Sequence, residues 1–350
     1  MSDWVRPVVR AMSGYVPGEQ PRAGERVIKL NTNENPYPPS PKVMEAIRDV
    51  GADVLRKYPN PTADAFRDAA GSVLGFGRDW IIAGNGSDDI LAIATRTFLS
   101  SKDVLAYPDP TYSLYPVLAE INESGRAAVA WEDGFDLPVE GLLAARPRAV
   151  FLANPNAPTG TFVAPARVAE LARRLDGVVL VDEAYVDFAD ENCLELVREY
   201  PNVVVSRTLS KAYSLAGLRF GYAVARPRVI EQMMKVKDSY NCDAVATAAA
   251  TAAILDQDWA RDNWAKVRSE RRRLTEELGR LGFRVLPSQA NFVLARVPGG
   301  AAGELKDRLK AEGILVRYFD KPGLSDKLRI TVGSPQENEA LIRTLRNLLT

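Results

Sequence analysis

"NVVVSRTLSKAYSLAGLRFGYAVA", Asn202 to Ala225, decides the fold. Its first half is a β-branched run that reads as a buried strand entering a turn, and "FGYAVA" reads as a second strand. Lys211 sits between them among small and apolar residues, with Arg219 eight positions on. A lysine at the end of a buried strand is costly unless it has a task. Working outward, "VVLVDEAYVDF" and "RAVFLANPNAPTG" are strands with polar residues just past their ends. "WIIAGNGSDDILAIATRTFL" is a short strand, a Gly-rich turn and a helix, and "DVLAYPDPTYSLY" and "RAAVAW" each open on a strand. Short Val-rich strands alternating with helical segments predict an α/β fold, with a large domain whose mostly parallel sheet is flanked by helices. Ligands bind such sheets beyond the carboxyl ends of the strands, where the polar clusters lie. From about Ala246 the pattern changes to an Ala-rich helix, a long charged helix and scattered strands, a smaller α+β domain. The expected organisation is an N-terminal arm over 1–30 that packs with the small domain, a large domain over 31–245 and a small domain over 246–350.

Composition narrows the function. The 350 residues are 46% apolar and 26% charged, with 45 basic and 45 acidic side chains, so no bulk field points to nucleic acid or an anionic membrane. No apolar run approaches the roughly 20 residues of a spanning helix, and the N-terminus lacks a signal-peptide pattern. Two cysteines without metal spacing suggest neither a disulfide framework nor a metal site, and a cytoplasmic setting is expected. There is no histidine. That excludes serine-hydrolase triads, histidine-ligated zinc and imidazole acid–base chemistry in their usual forms. Proton transfer falls to Lys, Tyr, Asp, Glu or a cofactor.

The strand-end residues can be read singly or together. In "GNGSDD", Gly86, Ser87 and Asp88 open a helix whose free N–H groups suit an anion, although Gly and Ser also serve there as plain caps. Asp182 and Tyr185 follow four apolar residues. Asp182 could cap a helix or hold a proton on a ring nitrogen. Lys211 could be solvated or form a Schiff base. Arg219 could make an ion pair or bind phosphate. Together they meet the needs of a phosphorylated pyridine aldehyde held by a lysine imine.

With those residues in hand, the chain resembles the pyridoxal-phosphate aminotransferases of fold type I, class I/II. The motifs are "NPNAPTG" (Asn154–Gly160), "DEAY" (Asp182–Tyr185) and "TLSKAYSLAGLR" (Thr208–Arg219), in the family's order. Within the group it is most similar to the histidinol-phosphate branch, through "SGYVPGE", "LNTNENPYPPSP", "YPNP", "YNCDAVATAAATAAI" and "LRITVG". The resemblance spans nearly the whole chain. It implies pyridoxal 5'-phosphate as cofactor, with Lys211 as the imine-forming lysine, Asp182 on the pyridine nitrogen and Tyr185 on the phenolic oxygen. Tyr112 would stack on the ring. Gly86, Ser87, Asp88, Thr208, Ser210 and Arg219 would hold the cofactor, chiefly its phosphate, with Tyr58 reaching in from the other subunit of a homodimer. Tyr15, Asn33, Arg317 and Arg329 would meet the substrate.

One position departs from the family. Ala157 stands before "PTG" where the family has Asn, whose side chain donates to the phenolic oxygen. Asn156 or Asn154 supplies that bond, or Tyr185 carries it alone; its loss would cost about 1.5–3 kcal/mol. The implied reaction is transamination between L-histidinol phosphate and 2-oxoglutarate. Alternatives are an aromatic amino-acid aminotransferase, or a lyase like the threonine-phosphate decarboxylases. Related regulators carry a DNA-binding domain ahead of this fold, but the first thirty residues hold no helix-turn-helix pattern. Nucleotide-binding fingerprints are missing as well.

Overall fold

The computed structural model describes residues 4–22 and 24–349. Two sheets organise them. Seven strands form the larger: β2 (Ile81–Gly84), β3 (Val104–Asp109), β4 (Gly125–Ala130), β5 (Ala149–Ala153), β6 (Val178–Asp182), β7 (Val203–Thr208) and β8 (Gly221–Ala225), in the order β2-β8-β7-β6-β5-β3-β4. All run one way except β8, which is antiparallel to both neighbours. The central strands are buried along their length apart from Val178 at the start of β6, as expected of a sheet covered on both faces. Helices such as Ser87–Phe98 and Pro165–Arg174 put Ile90, Leu91, Ile93, Val168 and Leu171 into those covering layers.

The smaller sheet has five strands in the order β1-β11-β12-β10-β9, made of β1 (Ile28–Leu30), β9 (Arg284–Val285), β10 (Phe292–Arg296), β11 (Ile314–Tyr318) and β12 (Lys327–Thr331). Two features differ from the arm and boundary expected above. Residues Ile28–Leu30 are a strand, parallel to β11 and in register with Ile314–Val316, and Pro7–Ala11 is a short helix. The Ala-rich helix Ala244–Leu255 runs across residue 245 and packs on helices Pro41–Arg48 and Asp64–Leu74. Residues 1–3 and 23 of the expected arm lie outside the described residues.

Register aligns the ends that matter. Ala153 is opposite Asp182, which is opposite Ser206. Gly84 and Thr208 both face Gly221. The carboxyl ends of β2, β5, β6 and β7 therefore share one rim with the start of β8. The stretch Asn31–Asn35 leaves β1 and crosses to this rim.

Candidate active site

Strand β2 ends in Gly84, and the turn Asn85–Gly86 opens helix Ser87–Phe98. Gly86 has φ +87°, and a Cβ there would come within 2.7 Å of Arg219 Nη2. Gly221 is required for a different reason: its Cβ would lie 2.5 Å from the Ser87 nitrogen. Glycine at both positions lets the helix N-terminus, the end of β7 and Arg219 converge. Ser210 Oγ accepts from Thr208 Oγ1 at 3.0 Å and from Arg219 Nη1 at 3.3 Å. Arg219 is held in the left-handed region at φ +54°, an uncommon conformation for a bulky residue and characteristic of functional sites. Its Nη2 lies 3.4 Å from Asp88 Oδ2, and the other Asp88 oxygen accepts from Tyr112 OH at 3.0 Å. Two hydroxyls, a guanidinium and a helix N-terminus thus converge, a cradle of the kind that suits an anion.

Asp182 ends β6 and is buried. Its Oδ2 accepts from Tyr115 OH at 3.0 Å, while Oδ1 is buried without a partner. Burial pushes this carboxyl up to about 7. An unpaired buried carboxylate oxygen is expensive, and a protonated ring nitrogen is the type of partner that would satisfy it. Lys211 Nζ donates to the Thr32 carbonyl at 3.0 Å and lies 5.9 Å from the Tyr185 ring centre. Burial brings the ammonium down to about 8; Glu34 works against that and Arg329 adds to it. Tyr185 OH accepts from Asn33 Nδ2 at 3.0 Å, and burial raises its phenol.

The position of Ala157 is clarified by its neighbours. Asn154 Nδ2 donates to the Val163 carbonyl and its Oδ1 accepts from Val163 N. Asn156 Nδ2 donates to the Pro110 carbonyl and Thr159 Oγ1, and its Oδ1 accepts from Thr111 Oγ1. Both amides hold the loop together. Ala157 itself packs with Ala290, Phe292 and Tyr185. Of the options weighed from sequence, the arrangement leaves Tyr185 as the polar group of this wall.

Above the cradle, β11 and β12 place Arg317 directly opposite Arg329. Both guanidinium carbons lie over Phe319, at 5.3 and 5.5 Å from the ring centre. Arg329 Nη2 donates to the Asn31 carbonyl at 2.8 Å and its Nε is buried without a partner. Burial lowers its pKa, and the neighbouring Arg317 adds to that. Like charges directly opposite on a sheet destabilise it; an anion between them reverses the sign. Tyr15 stands edge-on to Tyr112, ring centres 5.9 Å apart, and the adjacent Val16 and Pro17 carbonyls accept from Arg317.

Tyr58 stands apart. It is 82% exposed and stacks on Tyr240 at 4.5 Å. Sequence reasoning missed Tyr115, three residues after Tyr112, and the pair Glu183–Arg207. That pair is buried, with both Arg207 Nε and Nη2 on Glu183 Oε2. The signal was present: each member flanks a site residue, Asp182 and Thr208.

This architecture and rim define a class of protein already met in solved structures. The model of the family "Aminotransferase class I and II" matches residues 25–345, and the chain belongs to that family. It is 48% identical over 349 residues to histidinol-phosphate aminotransferase 1 of Trichormus variabilis, covering 100% of both proteins. It is 48% identical over 337 residues to the histidinol-phosphate aminotransferase of Rhodopirellula baltica, covering 96% of this chain and 93% of that one. The crystal structure of the histidinol-phosphate aminotransferase of Sinorhizobium meliloti, in complex with pyridoxal 5'-phosphate, superposes with a TM-score of 0.89 at 28% identity, covering 99% of each chain. No described helix is long and apolar enough to cross a membrane.

Proposed function

We propose that the chain uses pyridoxal 5'-phosphate to move the amino group of L-histidinol phosphate to 2-oxoglutarate, in histidine biosynthesis. The observation that carries the substrate is the facing pair Arg317–Arg329, two guanidiniums over one aromatic ring, with the Arg329 Nε buried and unpaired. A phosphate monoester, nearly doubly charged, suits that pair. The named relatives point the same way.

The residues present fit the cofactor. Gly86, Ser87, Thr208, Ser210 and Arg219 would hold its phosphate, Tyr112 would face its ring, the unpaired Asp182 Oδ1 would meet the ring nitrogen and Tyr185 would meet the phenolic oxygen. When bound, the group accepts electrons released from the substrate's α-carbon. The chain's side chains do the rest. Lys211 Nζ is the attachment point, and once freed it takes the α-proton. Its lowered pKa, about 8, leaves a working fraction as free amine near neutrality. Asp182, as carboxylate, keeps a proton on the ring nitrogen. Tyr112, Tyr15 and the Val16–Pro17 backbone wall off the mouth, and Arg329 and Arg317 orient the substrate by its anionic end. No step needs an imidazole.

A second copy of the chain belongs to this reading. Val54, Leu55, Tyr58 and Tyr240 are exposed apolar side chains, and Tyr58 stacks on Tyr240 in a small surface patch. A homodimer would cover the patch and bring Tyr58 to the neighbouring cradle, which light scattering tests by molar mass. The same reading sets the enzyme in the cytoplasm. The deciding experiment measures glutamate formed from 2-oxoglutarate with L-histidinol phosphate, phenylalanine or threonine phosphate as donor. A clear preference for histidinol phosphate is expected. Preference for phenylalanine would make it an aromatic aminotransferase, and carbon dioxide from threonine phosphate without an oxo acid would make it a lyase.

A further inference from the structure

Three consecutive residues touch three parts of the machinery. The Asn31 carbonyl accepts from Arg329 Nη2, the Thr32 carbonyl from Lys211 Nζ, and Asn33 Nδ2 donates to Tyr185 OH. The last contact has a polarity that matters. Because the Tyr185 oxygen accepts an N–H, its own proton must point elsewhere. The wall beside it is apolar, formed by Ala157, Ala290 and Phe292, and both nearby asparagines, Asn154 and Asn156, are engaged with their own loop. The remaining direction is toward the polar side of the residue, where Lys211, Asp182 and Arg329 gather.

The Asn33 amide is not free to turn. Thr331 Oγ1 accepts from the Asn33 backbone nitrogen at 3.0 Å and donates to Asn33 Oδ1 at 3.1 Å. Asn291 Nδ2 donates to the Asn33 carbonyl at 3.0 Å. The residue sits at φ +58°, a conformation Asn tolerates better than most side chains. With the threonine proton spent on Oδ1, only Nδ2 can face Tyr185. Were the amide reversed, Oδ1 would take the tyrosine's proton and the pocket would lose its donor.

We propose that Asn33, locked by Thr331, is a positioning residue that aims the Tyr185 proton into the pocket, and is not a substrate ligand. Thr331 lies two residues after Arg329 on β12. One strand therefore carries both the substrate's arginine and the lock on the tyrosine. The inference rests on the cofactor reading above, since the target of that proton is the cofactor's phenolic oxygen, whose anionic form a donated hydrogen bond favours.

The test uses Thr331→Val, which keeps shape and removes the hydroxyl, beside Thr331→Ser, which keeps the hydroxyl. Asn33→Asp is the third variant; its carboxylate would accept the tyrosine's proton. All are loaded with pyridoxal phosphate, and the visible absorbance is titrated with pH. In Thr331→Val and Asn33→Asp the midpoint should rise by about one pH unit, with kcat down about tenfold and KM for the amine donor nearly unchanged. Thr331→Ser should match the unmodified protein in both. An unshifted midpoint in Thr331→Val and Asn33→Asp would overturn the inference while leaving the aminotransferase reading intact. So would a Thr331→Ser variant as impaired as Thr331→Val, since packing would then be the cause. Failure of the unmodified protein to bind the cofactor would overturn the reading and the inference together.

Discussion

Replacing Asp182 by Asn in the cofactor-free protein isolates the energetic cost of preparing this site. The carboxyl is buried, one oxygen on Tyr115 and the other unpaired, and its pKa rises from 3.8 to about 7. Between those values the folded chain keeps a proton that the unfolded chain has lost. Stability contributed by this group is therefore full below about pH 4 and falls as pH rises through 7. Three pK units correspond to about 4 kcal/mol, an upper bound for one group. Asn carries no such proton. Comparing urea unfolding of the two proteins at several pH values from 4.5 to 8 cancels every other titrating group, including carboxylates held low such as Glu34 and Asp64. Relative to the unmodified protein, the Asn variant should gain stability as pH rises from 4.5 to 7 and then level off, by about 3 kcal/mol across that range. Pyridoxal phosphate should abolish much of the difference, because its ring nitrogen gives Oδ1 a partner. Parallel pH dependences without cofactor would refute the claim that Asp182 is a strained, waiting carboxylate.

Other consequences can be checked more simply. Glu183→Gln leaves Arg207 buried without its charge partner and should cost about 3–5 kcal/mol in thermal or urea unfolding. Gly221→Ala forces a Cβ against the Ser87 nitrogen and should weaken cofactor affinity at least tenfold, read by equilibrium dialysis, with less effect on overall secondary structure. Arg317→Ala should raise KM for histidinol phosphate by roughly tenfold to a hundredfold, the worth of one charge-assisted contact, while leaving KM for an uncharged amine donor unchanged.

The large sheet was legible because its strands are short apolar runs, Val-rich in β6 and β7, and the polar residues after them pointed to Asp182, Lys211 and Arg219. Strand β1 was not: three residues, Ile28–Leu30, find their partner at Ile314–Val316, a pairing with no local signal and a pattern too short to show a period. The helix across residue 245 was missed as a boundary feature because composition changes there while packing does not. Asn33 was expected from the sequence to meet the substrate, whereas the positioning role proposed above depends on a threonine 298 positions away. Tyr115 carried no signal of its own in "DPTYSLY", and only the structure places its hydroxyl on Asp182. Sequence displayed most of the groups that carry charge, and the structure supplied the neutral Tyr115 and Thr331 together with the buried ion pair Glu183–Arg207.

The central claim is that Lys211 is the attachment point. Protein loaded with pyridoxal phosphate, reduced with borohydride and cut by trypsin should carry the reduced cofactor on the peptide Thr208–Arg219, at Lys211, and Lys211→Ala should carry none and form no glutamate. Label on another lysine, or sustained glutamate formation by Lys211→Ala, would contradict the account.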